Sequence, residues 1–93
     1  MILTFTMPTA TELKNKGNEA LAKGHVSEAI NLYSSAIELE PTNHVLFSNR
    51  SAAYCKSKDF DKALDDAVVC TKVSPSWGKG WQRKATALEF KVS

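Results

Sequence analysis

The sequence predicts an all-α fold, an α-solenoid of antiparallel helix pairs with five helices in about two and a half repeats. Three observations carry that prediction. The first is self-similarity at an offset of about 34 residues, a helix–turn–helix period. Ala29 falls on Ala63, Pro41 on Pro75, Ala36 on Cys70, Gly17 on Ser51 and then Ala85, and Ala20 on Tyr54 and then Leu88. The second is that small and apolar residues recur three or four positions apart, the spacing of one helix face. The third is punctuation: Pro41 and Pro75 each stand just past such a run, where a helix must stop. Beyond the first six residues no stretch alternates apolar and polar over four or more positions, so nothing reads as a strand.

The first helix is expected from about Thr11 to Lys23. Thr9 and Glu12 have capping-box spacing, Leu13, Gly17, Ala20 and Leu21 share a face, and Gly24 stops it. The second runs from about Ser27 to Glu40 on the stripe Ala29, Ile30, Tyr33 and Ile37, ended by Pro41. The third follows the cap residue Asn43 and reaches about Ser57, with Leu46, Ala53 and Tyr54 inward. The fourth starts near Asp61 with Ala63, Leu64, Ala67, Val68 and Thr71 on one face, and Pro75 ends it. The fifth begins near Trp77 or Gly78, with Trp81, Ala85 and Leu88 inward. The small residues, Ala29 and Ala63 above all, mark places where helices approach closely. Stacked pairs leave the first helix of each pair lining a concave groove, the expected binding surface. One side of helix five lacks a following helix in this sequence, which makes it the expected site of self-association.

Composition narrows the function. Ninety-three residues make one small domain, and 43% hydrophobic with 24% charged residues is the balance of a globular chain, not a disordered one. A net charge of +2 does not demand nucleic acid. Cys55 and Cys70 have no metal-type spacing and read as reduced, small packing residues of a cytoplasmic protein, or one both cytoplasmic and nuclear. Met1 to Met7 is apolar but too short for a signal sequence, Met7 is an alternative start, and no run is long enough to span a membrane. Residues 1–9 are expected to be a flexible extension, with repeats at 10–43 and 44–77 and a partial one at 78–93. His25 and His44 lack a second ligand at i+3 or i+4, so no metal is expected. Ser48 and Ser51 have no nearby base and Asp65-Asp66 reads as a solvated helix face, so no catalytic group is assembled. Trp77 and Trp81 read as a packing pair at the start of helix five, in preference to a base-stacking platform.

The phasing of Gly17, Ala20, Ala29 and Pro41, repeated in Tyr54, Ala63 and Pro75, resembles the tetratricopeptide repeat over residues 10 to about 90. The stretches Lys14-Asn15-Lys16-Gly17-Asn18, His44 to Tyr54, Trp77 to Ala85 and Ala87-Leu88-Glu89-Phe90 are most similar to the stress-inducible, heat-shock organising co-chaperone family. The resemblance implies a right-handed solenoid and a non-enzymatic adaptor without cofactors. Its partners would be the Glu-Glu-Val-Asp tails of heat-shock chaperones, the seventy-kilodalton class in preference to the ninety. An alternative is the chaperone-targeting domain of a phosphatase, prolyl isomerase or ubiquitin ligase. The family's two-carboxylate clamp falls on Lys14, Asn18, Asn49, Lys79 and Arg83, all of the expected type. By resemblance, Lys14, Asn18 and Asn49 hold the terminal α-carboxylate and Lys79 the aspartate side chain. Arg83 reaches that side of the peptide, Ala52 leaves room for the valine, and Lys56 meets an upstream glutamate.

The residue types suit that task independently. Lys14 and Asn18 are one turn apart on helix one, Lys79 and Arg83 one turn apart on helix five, and Asn49, Ala52 and Lys56 share a face of helix three. Two carboxylates at a peptide end need compensating charge and directed donors when they leave water. Lys supplies a mobile point charge, Arg a planar fork, and Asn a donor that adds no repulsion to the empty groove. Asn49 stands mid-helix, where its side chain competes with the backbone and needs a reason to be.

Overall fold

A computed structural model describes residues 6–92. Five helices follow one another: α1 Ala10–Ala22, α2 Val26–Leu39, α3 His44–Lys56, α4 Phe60–Val73 and α5 Gly78–Val92. Each starts and stops within two residues of its sequence-based bounds, and no strand is present among the described residues. Ile2, Leu3 and Phe5, at the start of the expected extension, lie outside the described residues.

Local chemistry sets the boundaries. The Thr9 hydroxyl caps α1 by accepting from the Glu12 amide at 3.1 Å and donates to the Glu12 carboxylate at 3.2 Å. The Asn43 carbonyl oxygen caps α3 by accepting from the Val45 amide at 3.0 Å. Both α1 and α3 end in the same left-handed turn. Gly24 has φ +82° and Lys58, 34 positions on, has φ +66°. The closing bonds match too: His25 N–H donates to the Ala20 carbonyl at 2.8 Å and Asp59 N–H to that of Tyr54 at 2.9 Å.

Packing follows the repeat. Within each pair the second helix presents small residues: Ala29, Ala36, Ala63, Ala67 and Cys70 are fully buried, as is Tyr33. Ala29 and Ala63 therefore sit at tight contacts as the sequence indicates. A Cβ on Gly17 would lie 2.6 Å from the Tyr33 ring, so α1 and α2 meet closely only because that side chain is absent. Ser51, its counterpart in the second repeat, is buried and donates its hydroxyl to the Ala63 carbonyl at 2.8 Å.

Three expectations need correction. The inward face of α5 is not Trp81, Ala85 and Leu88. Trp81 is 47% and Leu88 42% exposed, Ala85 is exposed, and Gly80 and Ala87 are the buried residues. The reason is positional. Trp81, Ala85 and Leu88 correspond to Phe47, Ser51 and Tyr54, the side of a first helix that meets its own partner. Gly80 and Ala87 correspond to Leu46 and Ala53, the side that meets the preceding pair. In these residues α5 has only a preceding pair to pack on. The open side is the one expected to self-associate. The two tryptophans also do not form a pair. Trp77 meets His44 edge-on at 4.7 Å, and the Trp81 indole donates to the Pro75 carbonyl at 2.7 Å.

The third correction is Asp66. Asp65 is exposed, but Asp66 is 4% exposed and takes both Nε and Nη2 of Arg50, at 2.7 and 2.8 Å. Arg50 also donates to the Ser34 hydroxyl at 3.0 Å, so one guanidinium ties α3 to both α2 and α4. The far end of α5 is held to α4 by Phe60 and Phe90, stacked at 5.3 Å, and by Lys91 and Asp61 at 2.8 Å.

Candidate peptide-carboxylate site

The first helices of the pairs, α1, α3 and α5, carry all seven residues singled out in the sequence. Asn49 donates its amide to the Asn18 carbonyl oxygen at 3.3 Å, linking α3 to α1. Arg83 donates Nε to the Ser48 hydroxyl at 3.2 Å, linking α5 to α3. These two bonds place Asn18, Asn49 and Arg83 along one surface. Lys14 lies one turn before Asn18 and Lys79 one turn before Arg83. Lys14, Asn49 and Arg83 are partly buried, whereas Asn18 and Lys79 are exposed. Ala52 is partly buried and Lys56 exposed, one and two turns beyond Asn49.

This surface carries positive charge that no described carboxylate answers. Among the described residues, Lys14, Lys79 and Arg83 have no carboxylate partner, while Arg50 and Lys91 do. Arg83 makes its charge felt inward. Burial pushes the Tyr33 phenol and the Cys55 and Cys70 thiols above their usual values, and the Arg83 guanidinium opposes each of these shifts in part. Three cations without counterions, on a surface that also carries two side-chain amides, have the chemistry to receive an anion. A concavity of about 440 Å³ at the α1–α2 turn is different: Glu19 and Glu28 line it beside Lys16 and Lys23, so its charge is already balanced.

Two side chains that support this surface escaped the sequence reading. Ser48 is fully buried and orients Arg83, and Tyr33 is fully buried and donates its hydroxyl to the Asn18 carbonyl oxygen at 2.5 Å. Ser48 lay one residue before Asn49 on an already polar stretch, and Tyr33 was absorbed into an apolar stripe. Only contact across helices separates such roles. No three His, Cys, Asp or Glu side chains are grouped to hold a metal among the described residues, and no described helix is long and apolar enough to cross a membrane.

No protein-family model matches the chain. It is 51% identical over 79 residues to a heat shock protein sti1 homolog of Schizosaccharomyces pombe, a match covering 85% of this chain and 13% of that protein. The chain thus spans about an eighth of the length of that relative. Its structure resembles the tetratricopeptide domain of Sgt2 from Aspergillus fumigatus, with TM-score 0.89, 38% identity, and coverage of 92% of this chain and 57% of the other. It also resembles the second tetratricopeptide domain of human RPAP3, solved in complex with the HSP70 peptide SGPTIEEVD. There the TM-score is 0.82, with 30% identity over 87% of this chain and 68% of that one.

Proposed function

Because the chain belongs to the tetratricopeptide repeat family, we propose that it is the peptide-binding domain of a co-chaperone adaptor. It holds the C-terminal Glu-Glu-Val-Asp tail of heat-shock chaperones, of the seventy-kilodalton class in preference to the ninety. The single observation that carries this reading is the set of unpaired cations, Lys14, Lys79 and Arg83, on the surface that Asn18 and Asn49 also reach. A peptide ending in aspartate brings two carboxylates a few ångströms apart, and this surface supplies charge and donors for both. Lys14, Asn18 and Asn49 take the α-carboxylate, and Lys79 takes the aspartate side chain with Arg83 beside it. Ala52 makes room for the valine and Lys56 meets an upstream glutamate. The domain, residues 10–93, acts by tethering and not by catalysis, in the cytoplasm.

A titration of Ile-Glu-Glu-Val-Asp against its C-terminally amidated twin tests this. A short peptide held by its end binds at about micromolar strength, roughly −8 kcal/mol. Hydrogen bonds to charged groups contribute about 1.5–3 kcal/mol each, so amidation, Lys14→Ala or Arg83→Ala each weakens binding about tenfold or more. The affinity falls with added salt because the groove is open. Equal affinity for the acid and the amide overturns the assignment.

A further inference from the structure

We propose that the Tyr33 hydroxyl is a positioning group for the carboxylate site: it fixes the Asn18 side-chain amide so that its NH₂, and not its carbonyl, faces an incoming peptide. The inference rests on the carboxylate-binding reading above.

The Tyr33 hydroxyl and the Asn49 amide both donate to one atom, the Asn18 carbonyl oxygen, at 2.5 and 3.3 Å. Only an oxygen accepts two donors, and with both lone pairs used that oxygen is saturated. The Asn18 Nδ2 group is left with two unspent donors, and Asn18 itself is exposed. An amide free to rotate by 180° would present its carbonyl to a carboxylate half of the time, which repels where the other orientation attracts. Tyr33 removes that freedom from beneath. Its ring is fully buried and its hydroxyl reaches Asn18 because residue 17, next in the chain, has no side chain to block the approach. A phenol is protonated and therefore a donor at neutral pH, and burial, which raises this one, favours the same form.

The second repeat shows that the hydroxyl is not required for packing there. The positions 34 residues on from Tyr33 and Asn18 are Ala67 and Ala52. The donor and the amide it orients are present together in the first repeat and absent together from the second.

The test is a double-mutant cycle read by peptide titration. Tyr33→Phe removes the hydroxyl and keeps the ring against Gly17. It is compared with the unaltered protein in the Asn18 and Asn18→Ala backgrounds, with the acid and amide peptides. Tyr33→Phe is expected to weaken acid-peptide binding roughly three- to tenfold, to leave amide binding nearly unchanged, and to have no further effect once Asn18 is alanine. Full affinity in Tyr33→Phe, or the same loss in the Asn18→Ala background, overturns the proposal. If the unaltered protein itself does not distinguish acid from amide, the carboxylate reading fails and this proposal with it. Discrimination by the unaltered protein together with an unaffected Tyr33→Phe sinks the orientation alone. A readout that needs no variant is the Asn18 side-chain amide in ¹⁵N spectra. Its two proton signals should shift when the acid peptide is added, and unmoved signals at saturation would refute the proposal.

Discussion

At the scale of single residues, the sequence was informative where a residue's role repeats or is tied to a phased pattern. The five candidate clamp residues could be placed because the family's clamp falls on them residue by residue, while phasing at 34 only puts them on the first helices of the pairs. Arg50 and Asp66 could not. Their counterparts are Lys16 and Lys84 for the arginine and Leu32 for the aspartate, so the pair belongs to one junction and leaves no periodic trace. Asp66 also follows an exposed aspartate, and adjacent like charges on a helix usually mean solvent. The two aspartates therefore make a sharp comparison. Removing one partner of a buried pair costs about 3–5 kcal/mol. Arg50 keeps Ser34 as a partner and is one-fifth exposed, so a cost just below that range, about 2–3 kcal/mol, is expected for Asp66→Ala. Asp65→Ala should change stability by less than about 0.5 kcal/mol. Urea midpoints of the two variants check this, and similar midpoints would show that the Arg50 junction does not hold α3 to α4.

At the scale of elements, helix number, order and bounds were all legible, because caps and prolines act within four residues of where they stand. The facing of α5 was not, since a first helix has two packing sides and the sequence does not say which neighbour is present. Gly80 belongs to the side in use: a Cβ there would lie 2.9 Å from the Cys70 sulfur. The turns give the element-scale prediction. Gly24 and Lys58 fill equivalent left-handed positions, and a non-glycine residue there costs on the order of 1 kcal/mol. Lys58 is exposed and, among the described residues, its side chain makes no ion pair. Lys58→Gly should therefore stabilise the chain by about 0.5–1 kcal/mol even though glycine loses more freedom on folding, and Gly24→Ala should destabilise it by about 1 kcal/mol. Thermal unfolding of both variants is the measurement. A destabilised Lys58→Gly would mean that the turn is not the strained point of the second repeat.

At the scale of the whole molecule, the core is built from small residues, so the groups that titrate within it weigh heavily. Burial raises the pKa of Cys70, Cys55 and Tyr33 above ordinary values of 9.0 for the thiols and 10.0 for the phenol. The sign of the resulting pH dependence is fixed by linkage. Above about pH 9 the unfolded chain releases thiol protons that the folded chain still holds, so the unfolded state gains free energy of ionisation that the folded state does not. The contribution of these groups is fully present below pH 9 and is lost as pH climbs through the raised folded values, first for the thiols and then, above about 10, for Tyr33. The exposed Lys91–Asp61 pair acts in the same direction, since its partner raises the lysine as well. Stability measured in urea between pH 7 and 11 should therefore be level at first and then fall. Cys70→Ala, which removes a fully buried thiol, should lessen the fall between pH 9 and 10 to what Cys55 still contributes and leave the decline above 10, where Tyr33 still ionises. A curve level to pH 11 would show that neither the thiols nor the phenol are held in a dry interior, and one that Cys70→Ala leaves unchanged would show it of the Cys70 thiol, where α4 meets α5.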